Sequence, residues 1–74
     1  PVPSLYNLGI LYSKGTGVPR DFLQAYLCFQ LAADQGIQDA MVYLDVMARR
    51  MTPDQIAEAK EMAKALKEAT STAN

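Results

Sequence analysis

Residues 4–36 read SLYNLGILYSKGTGVPRDFLQAYLCFQLAADQG. Two apolar runs with helical spacing stand on either side of Gly15-Thr16-Gly17-Val18-Pro19. In the first, Leu5, Leu8, Leu11 and Tyr12 recur at intervals of three and four, with Tyr6 and Ile10 beside them. That spacing predicts an amphipathic helix over residues 4–14, with Ser4 as its cap. Gly15 can take the left-handed conformation that closes a helix, and Pro19 cannot continue one. Asp21 then stands as an N-cap with Gln24 in the capping-box position. The second helix carries Phe22, Ala25, Tyr26, Phe29, Ala32 and Ala33 on one stripe, and Gly36 ends it.

Two further helices follow. The third runs from Asp39 to Arg50, with Ala40, Met41, Leu44, Met47 and Ala48 apolar and two arginines at the negative pole of its dipole. The fourth opens at Thr52-Pro53-Asp54-Gln55, the clearest local signal in the chain: a cap, a proline at the first helical position, and a glutamine that completes a capping box. It is predicted to continue to Ala69 with Ile56, Ala59, Ala63 and Leu66 as the buried stripe and a Glu61–Lys64 pair outside it. Thr70 to Asn74 reads as a frayed tail. No stretch alternates with period two, so the expected fold is all-α.

Composition excludes several function classes. The chain has 74 residues, half of them hydrophobic, and a formal net charge of −1. This suits one small domain and gives no reason to expect nucleic acid or an anionic membrane as partner. There is no histidine, which removes the commonest general base and metal ligand. The single cysteine, Cys28, cannot form an internal disulfide. No apolar run approaches the roughly 18 residues of a membrane helix. The chain opens Pro1-Val2-Pro3 without an initiator methionine and is read as a processed chain or an excised fragment.

A shift of 36 residues places the first helix on the third: Ser4 on Ala40, Leu5 on Met41, Leu8 on Leu44, Ile10 on Val46 and Leu11 on Met47. A period of this size marks stacked helix pairs that cover one another's apolar faces. The run Leu8-Gly9-x-x-Tyr12-x-x-Gly15-x-Gly17-Val18-x-x-Asp21, followed by Ala25, Phe29, Ala32-Ala33-x-Gln35-Gly36 and Ala40-x-x-x-Leu44, resembles the Sel-one-like repeat, a relative of the tetratricopeptide repeat. The resemblance covers residues 4–45. The chain departs from the pattern at Asp45, which replaces a glycine, at Ala48, which replaces a tyrosine, and at the short Met51-Thr52-Pro53 turn. It implies a full repeat at 4–39, a degenerate second repeat at 40–51, a capping helix at 52–70 and a tail at 71–74, forming the C-terminal end of a longer array. The implied architecture is antiparallel helix pairs stacked as a short α–α superhelix.

Sharper readings meet blander ones. A phosphate loop at Gly15-Thr16-Gly17 needs a further glycine where Arg20 stands, and a preceding strand; an interhelical turn explains it. Cys28 has no histidine partner and no basic neighbour in sequence, so a structural thiol is expected. Paired cysteines bridge the two helices of a repeat in some relatives, and this chain lacks the second one. The acids are scattered over caps and solvent faces, with no converging pair. Met41 and Met47 read as core, Met51 as a staple before the Thr52 cap. Arg49 and Arg50 read as solvated charges or as a grip on a partner's carboxylate.

The remaining feature is a second apolar set. Tyr6 and Ile10 align with Val42 and Val46, off the main stripe. The resemblance implies that these positions face a concave groove, whose candidate lining is Tyr6, Ile10, Ser13, Lys14, Val42, Val46, Arg49 and Arg50. The alternative is that the fourth helix or a neighbouring repeat covers them. The expected function is a protein–protein interaction scaffold or adaptor that takes a helix or peptide of a partner, alongside neighbouring repeats of the same chain. No catalytic residue, cofactor or metal is expected, nor nucleic acid or membrane insertion. A purely structural array terminus, or a segment of a hydrolase whose active site lies elsewhere, are the competing readings. The resemblance implies a bacterial protein of the periplasm or cytoplasm.

Overall fold

The computed structural model describes residues 4–72, with side chains through Ala69. Its helices are α1 (Leu5–Lys14), α2 (Phe22–Asp34), α3 (Gln38–Arg50) and α4 (Pro53–Thr72), with no strand among the described residues. The all-α reading holds, and three of the four starts carry the expected caps. Ser4 Oγ accepts the Asn7 N–H at 3.1 Å. Asp21 Oδ1 accepts the Gln24 N–H at 3.2 Å. Thr52 and Gln55 exchange both bonds of a capping box, at 3.0 and 3.1 Å. At Asp21 the backbone N–H donates instead to the Tyr12 carbonyl at 3.0 Å. Half of that capping box is thus replaced by a tertiary bond that ties α1 to α2. Ile37 precedes α3 without a side-chain cap.

Gly15 closes α1 at φ 73°, its N–H on the Leu11 carbonyl at 2.8 Å. This left-handed position is where a Cβ is strained, which is why glycine stands there.

The central element is α2. It packs against α1, α3 and α4, and Ala25, Tyr26, Leu27, Cys28 and Phe29 are buried in unbroken succession. A helix covered on three sides is apolar nearly all round, and the single stripe read from sequence misses Leu27 and Cys28 for that reason. The Tyr12–Asp21 bond and the approach of Arg50 to the Phe22 ring place the C-terminal ends of α1 and α3 at the start of α2. Tyr6 and Tyr43 both meet Phe29 further along. So α1 and α3 lie side by side, each antiparallel to α2. Phe29 and Ala32, fully buried, sit at the middle of the core with Ala40, Met47, Met51 and Ala59.

The fourth helix docks on α2, with no comparably close approach to α3. Ala59 enters the core, and Lys67 pairs with Asp34, the last residue of α2, at 3.0 Å. Several expectations change as a result. Met41, expected in the core, is 53 % exposed, because no helix covers this side of α3 as α2 covers α1. Leu66, expected in the buried stripe, is 46 % exposed: α2 ends at the level of Lys67, so little of it lies beneath. Glu61 and Lys64 form no ion pair with each other; Lys67 of this helix pairs instead with Asp34 of α2. The helix continues to Thr72, past the expected end at Ala69, and Ala73 and Asn74 of the expected tail lie outside the described residues.

Candidate partner-binding surface

Helices α1 and α3 present the residues expected to line a groove, and they treat the two halves differently. Tyr6 and Ile10 are half-buried and packed on the core. The Tyr6 ring meets Phe29 edge-on at 6.0 Å and Tyr43 edge-on at 5.7 Å, while Phe29 and Tyr43 stack at 4.9 Å. Such edge-on and offset arrangements satisfy the ring quadrupoles. Desolvation holds the Tyr6 phenol above its ordinary value, and the neighbouring Tyr43 and the negative charge of Asp39 push the same way. Ser13 turns inward, its hydroxyl donating to the Ile10 carbonyl at 2.8 Å, which commits its donor within the helix.

Val42 and Val46 stand open, at 64 % and 38 % exposure. With Met41 they form a run of uncovered apolar side chains on the outer side of α3. The position equivalent to Gly9 is Asp45, whose carboxylate pairs with Arg49 at 3.1 Å in solvent. The equivalent of the fully buried α1–α2 crossing is therefore absent from α3, and its outer side is not covered by α4.

Lys14 is exposed at the end of α1. Arg50 lies over the Phe22 ring at 5.9 Å, and Arg20 lies over the same ring at 5.2 Å. The sequence reading did not include Arg20, Phe22 or Tyr43 in this surface. Met41 lay beside Val42 in sequence and could have been found there; the convergence of Arg20 and Arg50 on one ring has no local signal.

Elsewhere, Cys28 is buried, which raises its thiol above the ordinary value. That is the environment of an inert thiol. A shallow cleft of about 340 Å³ between α2 and α4 is lined by Gln30, Asp34, Lys60, Lys64 and Lys67. Asp34 is engaged there by Lys67 and by Gln30 Nε2 at 3.3 Å. No helix among the described residues is long and apolar enough to cross a membrane.

Residues 2–37 match the family model of the Sel1 repeat. That stretch is a Sel1 repeat. The match spans α1, the glycine turn and all of α2, and ends where α3 begins. Comparison with curated proteins and with solved structures gives no match. The Sel1 repeat is a non-catalytic repeat scaffold, and its presence indicates a module for protein–protein interaction.

Proposed function

We propose that this Sel1-repeat protein binds a helix or an extended segment of a partner protein along the outer side of α3 and the adjoining part of α1. The supporting observation is the exposure of Val42 and Val46, which α4 leaves uncovered by docking on α2. An apolar run rimmed by polar and charged groups is the usual mark of a binding surface. The surface is preformed on helices whose positions are fixed by the buried core, so little ordering opposes binding. Val42, Val46 and Ile10 supply apolar contact, with Tyr6 supporting them from the core side. Lys14, Arg49 and Arg50 flank the run, and Ser13 contributes little, since its hydroxyl is engaged. Leu8 and Leu11 are half-buried outside the core cluster, which suits a neighbouring repeat packing on α1.

The test is retention of partners by the native chain against a Val42→Asp, Val46→Asp double variant whose fold is checked by circular dichroism and melting. Both residues are exposed, so the variant is expected to keep its fold and lose the partner. Equal retention by both proteins overturns this reading. It would then favour an array terminus, a reading that the packing of Tyr6 and Ile10 on the core also suits.

A further inference from the structure

All four basic residues outside α4 gather at one end of the α1–α3 face. Lys14 closes α1. Arg20 follows the glycine turn, its Cβ placed 3.1 Å from where a Cβ on Gly15 would lie. Arg49 and Arg50 end α3. The guanidinium groups of Arg20 and Arg50 converge on the single ring of Phe22, at 5.2 and 5.9 Å from its centre. Three separate segments thus bring like charges together in a protein whose net charge is −1. Two acids near this end in sequence are engaged, while Asp54 stands in the first turn of α4, four residues after Arg50. Asp21 caps α2, and Asp45 pairs with Arg49 through two largely exposed side chains, a contact that water and salt weaken.

The basic end continues directly from the open apolar run. Val46 and Arg50 are one turn apart on α3, as are Ile10 and Lys14 on α1. A guanidinium over a ring keeps its in-plane N–H donors free for carboxylates while the ring holds it in place. We infer that the partner segment is apolar along its length and acidic at one end, and that the acidic end lies on Lys14, Arg20 and Arg50. This rests on the reading that the α1–α3 face binds a partner segment. A peptide fits better than a nucleic acid or a lipid surface, because the charged patch is one end of an apolar run, and the chain as a whole carries no basic excess.

The inference is tested by selecting a random-peptide phage library against the whole chain, then measuring the selected peptides by fluorescence anisotropy. Selected sequences are expected to pair an apolar stretch with a cluster of Asp or Glu at one consistent end. Changing those acids to Asn and Gln is expected to weaken binding about tenfold, the scale of one charge-assisted contact. The difference should shrink toward about 1 M salt, where the screening length is about 3 Å. An Arg20→Gln, Arg50→Gln variant should lose the preference for acids while still binding the neutral peptides. Binders that depend on Val42 and Val46 but carry no acidic preference overturn the inference and leave the proposed surface standing. A library that yields no binder dependent on Val42 or Val46 overturns both. Tighter binding of a single-stranded RNA or of phosphatidylserine vesicles than of the acidic peptides overturns the choice of partner.

Discussion

A Cβ on Gly9 would lie 2.8 Å from Cε1 of Phe29 and 2.9 Å from Cδ1, so the crossing of α1 over α2 has room for a hydrogen atom and no more. Phe29 cannot yield easily. It is fully buried, with Tyr43 stacked on it and the Tyr6 ring edge-on to it. Two effects therefore oppose each other in Gly9→Ala. Alanine favours the helix by up to about 1 kcal/mol, and overpacking a fixed core opposes it by about 1–3 kcal/mol. Overpacking is expected to win, leaving the variant less stable in urea by on the order of 1 kcal/mol. Combining Gly9→Ala with Phe29→Leu should lose less than the two changes summed, since the smaller side chain removes the clash. Strict additivity would show that the contact is not what holds the glycine in place.

The same contact separates what was legible in the sequence from what was not. Caps and turns were readable because their chemistry lies within three or four residues: Ser4 with Asn7, Thr52 with Gln55, Gly15 with Leu11. The glycine of the Leu8-Gly9 pair was readable as a fixed small position, but its partner Phe29 lies in another helix. The docking of α4 on α2 depends on which helix faces fit, and no local signal carries that. Met41 and Leu66 were misplaced for this reason. Tyr43 has no such local signal: 36 residues earlier stands the polar Asn7, and the partner that its ring stacks on, Phe29, lies in another helix. In the candidate surface, Val42 and Val46 were legible from the repeat shift. Arg20 was not, since only the fold brings it to Phe22.

Tyr43→Leu is accordingly expected to destabilise the chain by about 0.5–1.5 kcal/mol beyond the change in buried area, the value of an aromatic pair. Leucine keeps most of the apolar volume but not the stacked ring. Urea unfolding of this variant, set beside Tyr12→Leu as a half-buried tyrosine outside the described ring stack, measures the difference. Equal losses in both would assign the effect to area alone.

Thr52→Ala removes one half of the reciprocal cap that starts α4 and leaves the Gln55 N–H without its partner. The expected loss is about 1 kcal/mol, and it should be local. Amide exchange at the first turn of α4 is expected to quicken, while the protected amides of α2 slow or speed only with global stability. Thr52→Ser should restore most of the protection, because serine caps as well as threonine does. If serine fails where threonine succeeds, packing of the threonine methyl matters more than the cap.

Cys28 sets the behaviour at high pH. Burial raises its thiol above the ordinary value of 9.0, and burial likewise raises the Tyr26 phenol above 10.0. In the unfolded chain both groups ionise at their ordinary values, so between those values and the raised ones only the unfolded state releases protons. The sign follows: the stabilising contribution is complete below about pH 9 and is lost as pH climbs through the folded-state values. Unfolding free energy is therefore expected to fall from pH 8 to pH 11, with the cysteine acting first and the tyrosine after it. Cys28→Ala should flatten the first part of that fall even if its stability at pH 8 is lower, because the slope reports the proton and the offset reports the packing. The thiol reagent DTNB should react with the native chain at pH 8 far more slowly than with the chain in urea, since it needs an accessible thiolate. Rapid native reaction together with an unchanged slope in Cys28→Ala would show that the thiol is open to solvent and would remove it from the core of α2.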